Sequence, residues 1–235
     1  MSQVFGISHF ELLIETAMSY YLPIAVLEAV AAELKPLGFK LVKSKKWFIR
    51  AISNRVEKYQ LVVLDEKKGY RICPSVSVRF EHVEAIFHRS SGYEVEYQRD
   101  TPTVGIDLWS VYGKDGYQVS LTQAAGVDVV ASQLLEIFHD KAMPYYSHFS
   151  SLVAVDTAIN AQPSDNSVHR AMPWLRCSTG AIVAKLVGRD NYDYLVSIYT
   201  DILRKDSNGF YLPRFELLLS DIAKLTPDSD AAAVH

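Results

Sequence analysis

The sequence predicts an α+β protein: an antiparallel sheet packed on one or two N-terminal helices and followed by a helical C-terminal portion. Three observations carry that expectation. Apolar residues recur at three- and four-residue spacing before Gly38 and again after Gly126. Between those points the apolar period falls to two, in runs rich in aromatic and β-branched residues. Polar, glycine-containing turns separate those runs at hairpin spacing.

The first helix is read from Ile24, Leu27, Val30, Ala31, Leu34 and Leu37, which share one helical face. Pro23 suits its first turn, where a missing N–H is not felt, and Gly38 can supply a left-handed stop. An earlier helical stretch, from about His9 to Tyr21, makes this either a helix pair or one kinked helix. Strands are expected at Lys46–Ile52 and Tyr59–Leu64, then a turn over Asp65–Gly69. In the next strand Tyr70, Ile72, Pro74, Val76, Val78 and Phe80 alternate with polar residues, which describes a sheet with one face buried. Pro74 cannot donate to a ladder and so implies an edge strand or a bulge. Further alternation marks Tyr93–Tyr97, Val104–Leu108 and Tyr117–Leu121, with an Asp115-Gly116 hairpin signal before the last. Five to seven strands are expected, with Val62, Leu64, Ile72, Val76 and Val78 facing the helix that carries Leu27 and Leu34.

From Gly126 onward the periodicity predicts helices over 127–138, 145–160, 178–187, 190–205 and 213–225, the first of them broken at Pro144. The run Gln162–Ser167 is the best linker, dividing an α+β domain (1–161) from a helical subdomain (162–235).

The start has no basic leader, and no apolar run reaches the roughly 20 residues that span a bilayer. Two distant cysteines do not make a disulfide framework, so a reduced, cytoplasmic setting is expected. Charge is unevenly distributed. Residues 35–79 hold twelve Lys/Arg against three Asp/Glu, while residues 1–34 hold four Glu and no base, in a chain of net charge −3. Such asymmetry is an argument about partners.

No catalytic constellation is legible. Nucleophile elbows, phosphate loops and dinucleotide fingerprints are absent from the sequence. Glu136 and His139, and Glu84 and His88, share helical faces, but neither pair has further ligands at metal spacing, so surface or capping histidines are expected and no metal or cofactor. Cys177, before a presumed helix start at Ser178, reads as a small buried residue rather than a thiolate. The basic stretch is the better candidate. Its arginines Arg50, Arg71 and Arg79, with Trp47 and the later Tyr93 and Tyr97, could bind a partner or ligand. Lysines with interleaved aromatics also suit nucleic acid, but an overall pI near 6.2 argues against it.

The helix ending Leu34, Leu37, Gly38, Phe39, Lys40, followed by Lys46-Trp47-Phe48, resembles an uncharacterised bacterial domain family of unknown function. The break Ala142-Met143-Pro144-Tyr145-Tyr146 is similar to that family's helix break after its sheet. The resemblance covers Leu22 to Ser151. It implies a sheet packed on helices in a cytosolic bacterial protein, with an immunity-like or partner-binding role by analogy of fold. The functional expectation is therefore a non-enzymatic interaction module whose basic sheet face meets an acidic protein or a second copy. The alternative is an enzyme or a domain holding a small anion on the sheet through Arg71, Arg79, Tyr93 or Tyr97.

Overall fold

The computed structural model describes residues 9–113 and 117–225, with side chains from residue 22 onward. The chain is α+β with an antiparallel sheet, as expected. One helix, α1 (His9–Leu34), opens it and runs through Pro23, so the two N-terminal helical stretches are continuous. Gly38 ends the following 3-10 turn in the left-handed region (φ 86°), donating its N–H to the Lys35 carbonyl.

Six strands follow: β1 (Lys40–Val42), β2 (Trp47–Ile52), β3 (Arg55–Glu66), β4 (Gly69–Phe80), β5 (Val104–Asp107) and β6 (Val119–Leu121). Their order is β1-β2-β3-β4-β5, with β6 also paired to β4. β4 is thus interior, not the edge strand that Pro74 suggested. The proline is accommodated because β4 changes partner around it. β6 pairs antiparallel with Tyr70, Arg71 and Ile72, whereas Thr103 at the start of β5 donates its N–H to the Val78 carbonyl. Pro74 falls between the two stretches, where a missing donor breaks no ladder bond.

The remaining helices are α2 (Glu81–Phe87), α3 (Val95–Gln98), α4 (Leu108–Tyr112), α5 (Val127–Ile137), α6 (Met143–His148), α7 (Leu152–Asn160), α8 (Pro173–Leu186), α9 (Tyr192–Lys205) and α10 (Leu212–Ile222). A π-helical turn, Phe138–Ala142, joins α5 to α6 ahead of Pro144. The Tyr93–Tyr97 alternation is not a strand. It becomes the single turn α3, whose Val95 is 81% exposed, because no neighbouring strand covers those side chains. The Asp115-Gly116 turn lies outside the described residues.

Contacts divide the chain into two compact units. Unit 1 comprises Met1–Arg50, Tyr59–Ser75 and Leu108–Asp140; unit 2 comprises Ala51–Lys58, Val76–Asp107 and Lys141–His235. In unit 1, α1 packs along α5, and its Leu27, Val30 and Leu34 are buried. The sheet's contribution to that core is aromatic. Phe39 and Tyr59 both pack edge-on against Phe138, at centroid distances of 5.3 and 5.2 Å. The Tyr59 hydroxyl donates to the Leu134 carbonyl at 2.9 Å. The buried face of β3 is therefore Glu57, Tyr59 and Leu61, and Leu64 is exposed. This corrects the expected register of β3, where apolar residues on both faces left Val62 and Leu64 as equally good candidates. β4 keeps the expected face, with Tyr70, Ile72, Val76, Val78 and Phe80 buried.

In unit 2, α8 is the central helix, buried over almost its whole length and packed by α2, α7, α9 and α10. Trp174 at its start stacks on Tyr211 and meets Phe87 of α2.

Candidate functional site

The densest polar constellation lies in unit 2 and is built on α2. Glu84 and His88, one helical turn apart, sit on its inner side. Glu84 is fully buried. Its Oε1 accepts from the Thr103 hydroxyl at 2.9 Å and its Oε2 from the Thr101 hydroxyl at 2.6 Å. Thr103 in turn accepts from the Phe80 N–H at 2.9 Å, so one threonine both tethers the start of α2 and feeds its glutamate. Arg79 Nη1 lies 3.8 Å from Glu84 Oε2 and donates to the Gln98 and Thr101 carbonyls at 2.9 and 2.7 Å.

His88 bridges two hydroxyls, with Nδ1 2.9 Å from Ser91 Oγ and Nε2 2.8 Å from Thr101 Oγ1. One assignment satisfies all of them. Thr101 gives its proton to Glu84 and accepts from His88 Nε2–H, while Ser91 gives its proton to Nδ1 and accepts from the Tyr93 N–H. The ring is then neutral. Burial first, then the Arg79 guanidinium, pushes its pKa down to about 4. Burial pushes the Glu84 carboxyl up, against the pull of Arg170, the two threonines and Arg79. Arg170 is itself only 7% exposed, and its Nε and Nη2 make no hydrogen bond to a described residue.

His88 is the C-cap residue of α2, within the expectation of a surface or capping histidine, but its side chain is buried rather than on the surface. Its spacing on α2 was legible, but the burial that matters comes from residues far along the chain. Chemically the constellation is closed: Glu84, Ser91 and Thr103 have no exposed surface through which a substrate could reach them. Its work is to tie α2 to β5 and to the 98–103 segment.

The six residues singled out from the sequence fall into both units. Arg50, Arg71 and Trp47 belong to unit 1; Arg79, Tyr93 and Tyr97 belong to unit 2. Arg50 donates to the Leu37 carbonyl at 2.9 Å and lies over the Phe39 ring at 4.5 Å. Arg71 pairs with Glu66 and reaches Gln118. Arg79 has a side chain only 11% exposed. Tyr93 packs edge-on against Phe87, and its ring centre lies 5.7 Å from that of His88, so Arg79 and Tyr93 do converge, around the buried cluster. Tyr97 is 59% exposed on α3.

Glu136 and His139 are both exposed, as expected. Cys177 is buried within α8, which starts earlier than presumed, at Pro173, and burial pushes its thiol up to about 12. Among the described residues no group of His, Cys, Asp or Glu is placed to hold a metal ion, and no helix is long and apolar enough to cross a membrane.

The lysines are disposed differently from the arginines. β1 ends at Val42, β2 starts at Trp47, β3 ends at Glu66 and β4 starts at Gly69. In an antiparallel sheet of this order, both connections lie at the same end. Lys43, Lys45 and Lys46 stand at the first connection and Lys67 and Lys68 at the second, all within unit 1; the Leu61 N–H donates to the Lys46 carbonyl, so the second turn lies about 20 Å farther along β3. Lys43 reaches Glu28, and the Lys45 ammonium stands 4.7 Å above the Trp47 ring. Lys46 adopts a left-handed backbone (φ 55°) without being glycine or asparagine. Lys67 and Lys68 are exposed at the tip of the β3–β4 turn.

No family model matches the chain, and neither a curated protein nor a solved structure matches it.

Proposed function

We propose that this chain is a non-enzymatic partner-binding protein, and that the lysine-bearing end of the sheet in unit 1 meets an acidic protein. The observation that carries the reading is that both strand connections at this end of the sheet bear lysines, the first of them beside Trp47. A large aromatic ring flanked by cations is the composition of an interface centre with an electrostatic rim. The left-handed Lys46 adds to it, since strain of that kind, about 1 kcal/mol or more, tends to sit at functional positions. A bacterial, cytoplasmic, immunity-like setting is what the family resemblance contributes. The geometry favours this over a small anion held on the sheet, because Arg71 pairs with Glu66 and Arg79 is committed to Gln98, Thr101 and Glu81.

The test begins with capture of a partner by the tagged protein and continues with the purified pair. Affinity should fall steeply with added salt. A Lys45→Glu, Lys67→Glu, Lys68→Glu variant should bind at least about tenfold more weakly at low salt. Equal affinity in that variant would overturn the proposal. If the partner is a second copy, light scattering over the same salt series should show the dimer dissociating.

A further inference from the structure

The loop after α7 and the first turns of α9 border a half-open cleft of about 410 Å³ within unit 2. That is the size of a small-ligand site. Its walls include Asn160, Pro163, Asp165, Arg189, Leu195 and Ile198.

Arg189 is held from behind by a buried relay. Its Nε donates to Asp156 Oδ2 at 2.7 Å. Asp156 Oδ1 accepts from Asn160 Nδ2 at 2.6 Å, and the same amide nitrogen donates to the Gly180 carbonyl at 3.0 Å. Asn160 Oδ1 accepts from the Tyr199 hydroxyl. Asp156, Asn160 and Tyr199 are all buried. A polar relay inside a helical core is tolerable only when its members are satisfied, and then it is rigid. Its outlet is the Arg189 fork, whose two Nη groups make no hydrogen bond to a described residue. A guanidinium fixed at Nε with both Nη groups open presents two aligned donors, the geometry that matches a carboxylate.

Charge selects among anions. Asp156 already offsets Arg189, and Asp165 adds a further negative charge to the wall. A phosphate or dicarboxylate would bring surplus negative charge into this setting, whereas a zwitterion brings none. Ile198 and Pro163 supply apolar wall, with Leu195 buried behind it.

We propose that this pocket binds the α-carboxylate of an apolar amino acid or dipeptide. The Arg189 Nη groups donate to the carboxylate, Asp165 takes the ammonium, and Pro163 and Ile198 receive the side chain. This site shares no residue with the lysine-bearing end of the sheet, so either can fail alone.

The experiment is thermal shift and calorimetry on the full chain with L-leucine, alanyl-leucine, each one's C-terminal amide and inorganic phosphate. A ligand of the folded state must raise the melting temperature. L-leucine or alanyl-leucine should do so, the response of each distinguishing a free amino acid from a peptide. The matching amide and phosphate should bind at least about tenfold more weakly. Arg189→Lys, which keeps the charge beside Asp156 but loses the fork, should weaken binding by a similar factor. Should that variant not fold, the comparison of acid with amide stands in its place. No response to either carboxylate at about 10 mM, or equal binding of acid and amide, overturns the proposal.

Discussion

Replacing Gly180 by alanine sets two effects of opposite sign against each other. Alanine is the better helix former, by about 1 kcal/mol in a helix interior. At this position in α8, however, a Cβ would stand 2.6 Å from the Tyr199 hydroxyl oxygen, 2.7 Å from Asn160 Oδ1 and 2.8 Å from Tyr199 Cε2. Neither neighbour can retreat freely. Tyr199 is fully buried and Asn160 nearly so, and the two are bonded to each other and onward to Asp156 and Arg189. Overpacking of this kind costs about 1–3 kcal/mol. Breaking the Tyr199–Asn160 bond to relieve it costs about 1–3 kcal/mol more if a polar atom is left stranded. The clash wins, and with both costs incurred Gly180→Ala should be destabilised by about 1–5 kcal/mol after the propensity gain is subtracted. Urea unfolding followed by far-ultraviolet circular dichroism would measure it, with a melting-temperature loss of roughly 2–4 °C per kcal/mol in a chain of this size. A variant as stable as the parent, or more stable, would show that the relay yields to a methyl group and is not the rigid support described.

Val76 is buried on β4, and Val76→Asp should abolish the cooperative melting transition, because an unpaired carboxylate there has no partner; a normal transition would refute the assigned face of the strand. His88 is held neutral well below the ordinary histidine range, so on acidification from about pH 6.5 toward 4 the unfolded chain takes up its proton first and stability falls over that window. Glu84, pushed upward, works in the opposite sense, so the check is the slope of stability against pH, which should be shallower in His88→Gln than in the parent. Cys73 and Cys177 are both buried, and burial raises the Cys177 thiol, so iodoacetamide should label neither appreciably in the native protein and both after denaturation; rapid native labelling would contradict the packing of α8.

Much of the fold was legible because local pattern and burial agree. The strict alternation of β4 named its own buried face. Reading failed where local pattern left a choice. In β3 both faces are apolar, and Tyr59 decides the register because its hydroxyl finds the Leu134 carbonyl, a partner on another element. In α9 the buried positions are Leu195, Tyr199 and Leu203 while Ile198 is only half-buried, so a tyrosine takes a core place that apolar spacing alone does not mark. The Glu84–His88 pair was visible as spacing, yet its threonine partners lie 17 and 19 residues away and gave no sign of converging. The charge split is the clearest case of sequence order misleading. The stretches that form unit 1 contain ten basic and ten acidic residues, and those of unit 2 fourteen and seventeen, so folding returns acids to the neighbourhood of the basic run. What survives is local, at the two lysine-rich connections.

The interleaving of the two units along the chain bears on the order in which they can form during synthesis. Every stretch of unit 1 has been made once residue 140 is reached, so α1, its strands and α5 can close on one another while α6 to α10 are still to come. By that stage unit 2 has only its strand ends, α2 and α3, and Glu84 and His88 are without Arg170, while Phe87 is without Trp174. The buried acid and imidazole therefore spend the interval before α8 emerges incompletely covered. The apolar face of α2 beside them, Val83, Ile86 and Phe87, is exposed over the same interval, and such surface is where a ribosome-bound chain of this kind would first meet a chaperone.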